Sequence, residues 1–593
     1  MELATTKYSI DPTFQMYVLE SNLVKSMLKE FEFYNVRFYK EEKAKKFTLC
    51  LDYPKANIYW YVEFKKYIDE KILTKEVIYK SSWDRFLKAL HTQIYNDYKE
   101  LKDSLTKISE KDIINTMITY GLRNYQAYDL LVLNKKLDYS SPHTGLILSE
   151  QRTGKTRIAI AAADMNLCPG SSLIIVCPKS AIQGWEDEIQ EVEKHLDIPT
   201  YIGGIIKKVA DIKEFNDNFD DKRINYKIIT YDLLKRLTKT QLKYLVNIKD
   251  ASEIMLIGDE VHRLRNFKTD QSTALFDLKN IIKRKNTYII GLTGTPAVKD
   301  TCDIFGILSF INFSKIKFKP TSDSFAQFKE YYYICEDTSY GKIAKALKKK
   351  AELTYLIQCC AIQTKQKELS MFKNYNKKYI KIALDMDIDQ SKIYKEVDEF
   401  FEYGDDIDCK NPMIKYLRLQ QICNDPSILT NDYIKVPPKF KYIIGFAKKN
   451  NKQFIIMSKK LKALKHLAEL FEMNGITYSV LEGSMKLEIR NMEIDDFKKG
   501  KSQVFIIQSD VGKEALTLPE ASYTLFLDRD FAQGNNDQAE ARMTPIDGST
   551  STKYVLDLIM KDTVEEQIYD KLIIKKEDIK NVNEIFRKGE TTE

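Results

Sequence analysis

Short apolar runs recur along most of this chain, each followed by an amphipathic stretch long enough to form a helix. Leu146-Ile147-Leu148 is the first. Leu173 to Cys177, closed by Pro178, comes next, then Ile228-Ile229-Thr230, Met255-Leu256-Ile257 and Tyr288 to Leu292. Runs without in-out alternation suit strands buried on both faces, and a parallel sheet with crossover helices provides that environment. A Lys- and Tyr-rich helical insertion at about 316–372 interrupts the series. The runs then restart at Tyr379 to Ile382, continue at Phe454 to Met457 and Val504 to Ile507, and end at Thr524 to Leu527. Within this second series, Leu461, Leu464, Ala468 and Phe471 share one helical face, and Gly475 supplies a stop. Thr563 and Glu566 have capping-box spacing near the end. The fold class is therefore α/β, with two parallel-sheet lobes at 113–372 and 373–593. Residues 1–112 form a small α+β module, with strands expected at Phe47 to Leu51 and Ile58 to Val62 and a helix from Trp83 to Leu101.

Composition narrows the function less than the pattern does. The 93 basic and 85 acidic residues leave a net charge of +8, which fits nucleic-acid contact and fits an AT-rich coding bias equally well. Nine scattered cysteines and five histidines offer few ligands for zinc and indicate reduced thiols. No apolar run reaches transmembrane length and the start lacks a signal-peptide layout, so the expected location is the cytoplasm, with no membrane partner.

Two segments carry chemistry. Ser149-Glu-Gln-Arg152-Thr153-Gly154-Lys155-Thr156-Arg157 joins the first expected strand to a helix. A tight turn of backbone N–H groups at a helix N-terminus favours a polyanion. Lys155 can reach β- and γ-phosphates, and Thr156 can hold magnesium through its hydroxyl. Ser149 stands where such a loop usually has its first glycine. Asp259-Glu260-Val261-His262 directly follows a buried run. Asp259 suits a magnesium ligand, and Glu260 suits the group that orients and deprotonates an attacking water. A solvated acidic turn would not explain why two carboxylates and a histidine end a core strand in the lobe that holds the Gly-Lys-Thr loop.

With these come further segments in a fixed order. They are Leu122 to Gln126, Val176 to Ser180 with Trp185 downstream, Asp259 to Asn266, Leu292 to Pro296 and Leu417 to Pro426. Ser458 with Leu481 to Ser484, Gln508 to Gly512 with Leu518, and Gln538-Ala-Glu-Ala-Arg542 complete the set. Together they resemble the superfamily-two helicases, in particular their Swi/Snf branch, over residues 122 to about 570. The resemblance implies two RecA-like lobes, ATP and magnesium as cofactors, and DNA, duplex or branched, as the partner. It implies that Gln126 binds the adenine and that Ser149, Arg152, Thr153, Gly154, Lys155, Thr156 and Arg157 bind the nucleotide. His262, Thr293, Gly294, Thr295 and Gln538 would couple the nucleotide to the nucleic acid. Arg542 would act as the arginine finger, completing a catalytic set with Lys155, Asp259 and Glu260. Lys179, Ser180, Thr230, Ser458, Ser509 and Thr517 would contact the nucleic-acid backbone.

Three positions depart from the branch. Pro545 replaces the second arginine of the last motif, Gly512-Lys513-Glu514-Ala515 lacks two glycines, and Ile362-Gln363 stands where arginines are common. Three readings stay open beside a DNA translocase: a strand-separating or branch-migrating helicase, a nucleotide-gated DNA-binding protein with negligible turnover, and a phosphate-loop enzyme without nucleic acid. A monomer is expected, with 1–112 open as a substrate-specific DNA binder, a protein-docking module or a brace for the first lobe, and a compact motor of this composition points to a bacterial or phage source.

Overall fold

The structure is a computed structural model. It describes residues 99–573 apart from 140–142, 197–198, 247–250, 283–286, 295, 297–300, 312–318, 339–340, 367–368, 370–375, 410, 510–517, 531–532 and 544–551, and it describes four short strands ahead of them. Those strands are β1 (Phe14–Val18), β2 (Val36–Glu41), β3 (Lys46–Leu51) and β4 (Val77–Ile78). They form one antiparallel sheet in the order β2-β3-β1-β4. The strand expected at Phe47 to Leu51 is β3, while Ile58 to Val62 and most of the Trp83 to Leu101 helix lie outside the described residues.

The chain divides into two compact units, with the break between Thr364 and Lys365, ahead of the expected boundary at 372. The first unit is organised by a seven-stranded sheet whose strands are β5 (His143–Ile147), β6 (Ser172–Cys177), β7 (Tyr201–Ile206), β8 (Ile224–Thr230), β9 (Ile254–Asp259), β10 (Thr287–Leu292) and β13 (Ala361–Ile362). All neighbours run parallel, in the order β13-β5-β10-β9-β6-β8-β7. Every residue of β6 and β9 is buried, as runs without alternation require. Helix Lys155–Asn166 buries six consecutive residues, Ile158 to Ala163. Four of these are alanines, small enough for a helix covered on nearly all sides.

The expected helical insertion at 316–372 is only partly helical. Helices Ser322–Tyr332 and Lys350–Cys360 flank an antiparallel hairpin of β11 (Tyr333–Thr338) and β12 (Gly341–Leu347), and β13 then joins the main sheet beside β5. The tyrosines that mark this stretch pack inward: Tyr331, Tyr332 and Tyr333 are all buried.

The second unit is built on β14 (Asn376–Leu384), β17 (Phe454–Ser458), β18 (Tyr478–Leu481), β19 (Val504–Gln508), β20 (Tyr523–Phe526) and β21 (Thr552–Met560), with β15 (Glu402–Tyr403) and β16 (Ile407–Asp408) forming a separate small hairpin. The six strands are parallel in the order β14-β21-β20-β17-β19-β18. The apolar series therefore does not end at Leu527, since β21 lies inside the sheet, between β14 and β20. Helix Leu461–Met473 forms as expected, with Gly475 following at φ 66°. Its buried stripe is Ala463, Leu464, Leu467, Leu470 and Phe471, rotated slightly from the expected face. At the last helix Glu566 caps the Asp562 N–H (3.1 Å), and the Thr563 hydroxyl accepts from Glu565 (3.2 Å), one residue off the expected pairing.

Candidate nucleotide-binding site

In an open parallel sheet, loops at the carboxyl ends of the strands form the ligand crevice. In the first unit these ends carry the sequence motifs in spatial order. The Ser149–Thr156 loop leaves β5, Thr293 and Gly294 leave β10, Asp259 and Glu260 leave β9, and Lys179 and Ser180 leave β6. β10 lies between β5 and β9, so residues more than a hundred positions apart meet across a single strand.

The loop is held open by its own backbone. Arg152 and Gly154 have φ of 63° and 78°, and Lys155 begins the helix. At Gly154 the positive φ disfavours any side chain, and a Cβ would lie 1.9 Å from Gln126 Nε2, so Gln126 would have to give up its place. Thr153 Oγ1 donates to the Glu150 carbonyl (2.7 Å), and Lys155 Nζ reaches the same oxygen at 3.2 Å. Gly294 closes the other side, where a Cβ would meet Gln151 Cγ at 3.2 Å and Lys155 Nζ at 3.4 Å. Burial lowers the Lys155 pKa, against the opposing charges of Glu260, Asp259 and Glu150. A buried ammonium facing a helix N-terminus and two carboxylates fits a magnesium-bound polyphosphate.

The carboxylate pair is fixed by its own backbone and by side chains from neighbouring elements. Trp185 Nε1 donates to Asp259 Oδ2 (2.9 Å), the Tyr231 hydroxyl to the Asp259 carbonyl (2.6 Å), and the Glu260 N–H to Asp259 Oδ1 (2.8 Å). Glu260 sits in the left-handed region at φ 50°, which costs a non-glycine residue on the order of 1–3 kcal/mol. Its Oε2 lies 3.0 Å from His262 Nδ1, and the same ring nitrogen is 3.1 Å from Thr293 Oγ1. Burial and the adjacent Glu260 charge push Asp259 up to about 6. Burial pushes Glu260 the same way, but the His262 hydrogen bond and charge, with Lys155, outweigh it and bring it down to about 2.

The other expected residues are placed as follows. Gln126 is buried and braces the loop: its Oε1 accepts from the Arg123 N–H (2.9 Å) and its Nε2 donates to the Thr153 carbonyl (3.3 Å). Ser149 is fully buried. Thr156 lies in the first turn of the helix, and Arg157 pairs with Glu188 at 2.7 Å rather than facing the loop. Lys179 is exposed and Ser180 half-buried, and the Thr230 hydroxyl caps the next short helix at Leu233 (3.1 Å). In the second unit Ser458 is buried and gives its hydroxyl to Asp528, so this side chain serves the interior in this structure. Ser509 is buried, and Gln538 lies in helix Gln533–Glu540. Arg542 is buried in the turn that follows, its carbonyl accepting from Leu518 (2.9 Å). Thr295, Thr517, Gly512 to Ala515 and Pro545 lie outside the described residues. Tyr231, whose hydroxyl fixes the Asp259 carbonyl, carries no sequence signal beyond its place at the end of a buried strand.

A family profile described as the SNF2-related domain matches residues 53–428, and one described as the helicase conserved C-terminal domain matches 438–544. The first begins well inside the expected N-terminal module. A zebrafish (Danio rerio) chromodomain-helicase-DNA-binding protein 1-like is 23% identical over 73% of this chain and 41% of its own length. The human (Homo sapiens) DNA repair and recombination protein RAD54B is 23% identical over 78% of this chain and 55% of its own. The chain thus spans about half the length of these curated relatives, and neither supports the expected bacterial or phage source. A Sulfolobus solfataricus SWI2/SNF2 ATPase core, solved in complex with dsDNA, is similar at 21% identity and a TM-score of 0.33, covering 78% of this chain and 92% of that one. No helix among the described residues is long and apolar enough to cross a membrane.

Proposed function

We propose that this chain, which belongs to the SNF2-related family, is an ATP hydrolase stimulated by DNA, and that it uses hydrolysis to move along duplex DNA. The observation that carries the reading is the meeting of Lys155, Asp259, Glu260 and His262–Thr293 at the carboxyl ends of three adjacent strands. DNA enters from the names of the relatives, which are DNA-binding and DNA-repair proteins.

In this reading magnesium supplies charge neutralisation at the phosphates, with Thr156 and Asp259 to hold it. The loop N–H groups and Lys155 bind the triphosphate. Glu260, ionised at neutral pH, accepts a hydrogen bond from the attacking water and orients it, while His262 holds the carboxylate in place. Thr293, hydrogen-bonded to His262 and through its N–H to the Ile147 carbonyl at the loop's base (3.0 Å), ties water orientation to loop position. Arg542 is kept as the cation that stabilises the leaving phosphate, on its sequence pattern. Lys179, Ser180, Thr230, Ser509 and Thr517 are proposed backbone contacts that position DNA without reading its sequence.

The test is phosphate release with no nucleic acid, single-stranded DNA, duplex DNA, forked DNA and RNA. Duplex stimulation without strand separation is the expected result. Separation on forks would make the chain a helicase, ATP-dependent DNA binding without release would make it a gated binder, and equal release in every arm would remove nucleic acid from the function.

A further inference from the structure

The chain leaves the first unit along a strand that is hydrogen-bonded to the phosphate loop itself. The Leu148 N–H donates to the Ile362 carbonyl and the Glu150 N–H to the Thr364 carbonyl, both at 2.9 Å. Between them the Thr364 N–H donates to Ser149 Oγ at 3.0 Å. A glycine at 149, usual for such loops, would offer no acceptor, and this buried N–H would lose its partner. The serine that departs from the loop pattern is thereby explained by its link to residue 364.

Helix Asn124–Tyr139 grips both partners of this junction. Gln126, Asp129, Leu133 and Lys136 are spaced by three, four and three residues, so they share one face. At one end Gln126 Nε2 and the Tyr125 hydroxyl hold the Thr153 carbonyl, at 3.3 and 3.2 Å. Along the same face the buried Asp129 carboxylate accepts from Thr364 Oγ1. Leu133 packs in the core, and Lys136 Nζ donates to the carbonyls of Gln358 (2.7 Å) and Ala361 (2.5 Å). Burial lowers the Lys136 pKa to about 8, against the opposing influence of Cys360, Cys359 and Asp129, while the two carbonyls accept from its ammonium. A buried lysine and a buried aspartate are not needed to join a helix to a two-residue edge strand, because apolar side chains would do that at lower cost.

We propose that helix Asn124–Tyr139, with Ser149 and Thr364, is a latch that couples the state of the phosphate loop to the strand by which the chain passes into the second unit. A polyphosphate that tightens the loop around Thr153 and Gly154 pulls on Gln126 at one end of a rigid helix and on Ser149 directly. Both displacements arrive at Thr364, the last residue before the second unit begins. Asp129 and Thr364 are positioning residues, remote from the phosphates and acting through the loop.

The proposal rests on nucleotide binding at this loop, and its test separates the two. Hydrogen exchange of the peptide spanning 358–366 is measured in the full chain, with and without a non-hydrolysable ATP analogue and magnesium, whose binding is followed independently by fluorescence. The latch predicts slower exchange on analogue binding in the wild type. Thr364→Val removes only the hydroxyl that Asp129 accepts. It is expected to bind the analogue within about twofold of wild type, to lose the protection, and to show DNA-stimulated turnover lower by about tenfold, the scale of one hydrogen bond to a charged group. Thr364→Ser should restore both, and Asp129→Leu, which offers no acceptor, should reproduce the loss. A purely structural contact would lower the melting temperature and scale turnover equally with and without DNA, leaving analogue-induced protection intact, and that result overturns the latch. So does wild-type protein that binds the analogue with no change at 358–366. If wild type protects 358–366 but never hydrolyses ATP, the latch stands and the motor reading fails. If the analogue does not bind, both fall.

Discussion

The two units use the same sheet design, yet treat the polar residues at their strand ends in opposite ways. In the first unit the groups around Lys155 and Asp259 are held by neighbours but keep unspent capacity: among the described residues the Lys155 ammonium has one hydrogen bond, at 3.2 Å, and Glu260 sits on a strained backbone. In the second unit the strand ends close on themselves. Lys439, with no exposed surface, donates to Asn424 Oδ1 (2.9 Å), the Leu527 carbonyl (2.6 Å) and Glu565 Oε1 (2.7 Å). Asn424 Nδ2 donates to Asp528 Oδ2 (2.7 Å), which also takes the Ser458 hydroxyl, while the Lys459 N–H binds Asp528 Oδ1 (3.1 Å). A closed network of this kind specifies one arrangement of elements, and an open set is poised to bind. Among the described residues the first unit thus presents polar groups able to receive a ligand, and the second presents polar groups already satisfied by one another.

Substitutions can break that contrast. The largest effect is expected from Lys155→Ala, which removes the ammonium from an otherwise intact loop. Turnover should fall by about 10³-fold or more while the melting temperature holds or rises, because a buried charge has gone. Phosphate release paired with calorimetry decides, and unchanged turnover would strip Lys155 of its role. Glu260→Gln comes next, with turnover lower by about 10²–10⁴-fold and nucleotide affinity kept, since only the group facing the water is altered. If it weakened nucleotide binding as much as Lys155→Ala does, Glu260 would be a binding residue. In the second unit the same logic inverts. Lys439→Met leaves Glu565 buried without its cation, and stability should fall by about 3–5 kcal/mol. Nucleotide binding by the first unit should survive at temperatures where the second has unfolded, which limited proteolysis with a fluorescent ATP would reveal.

The contrast also explains what could be read from sequence. Where a strand is buried on both faces, its residues must be apolar, so β5, β6, β8, β9 and β10 stand out as runs. Edge strands escape that demand. β7 carries Gly203 and Gly204 and is only partly buried, and neither it nor β18 shows as an apolar run. β21 alternates at its start and carries the charged Lys553 and Asp557, which hid a strand inside the sheet. Both charges are buried and satisfied: Lys553 binds the carbonyls of Pro519 (2.6 Å) and Ala521 (2.8 Å), and Asp557 binds Arg529 (2.5 Å). The chemistry of the site was legible where it resides in side-chain identity, as at Lys155, Asp259 and Glu260. It was hidden where the partner is a backbone atom or a distant ring, as with Tyr231 on the Asp259 carbonyl and Thr364 on Ser149. No local spacing encodes those contacts.

The smallest expected effect sharpens the contrast most, because it separates readiness to bind from stability within one residue. Asp259 has its pKa raised from the ordinary 3.8 to about 6 by burial and by Glu260. A raised pKa means that the folded protein takes up this proton more readily than the unfolded chain does. The associated stability is complete below about pH 4 and is lost as pH rises through about 6. At neutral pH, without metal, the ionised Asp259 is therefore a cost to the fold, one that a bound cation would offset. Asp259→Asn removes the ionisation and keeps one oxygen for the Trp185 indole, at the loss of the acceptor for the Glu260 N–H. Its melting temperature should exceed that of wild type at pH 7–8 in chelator, the gain should shrink as the pH falls to 4, and added magnesium with ATP should close the gap by stabilising wild type alone. A variant less stable than wild type at pH 8 would mean that the carboxylate is already compensated by the protein, and the first unit would then be as self-contained as the second.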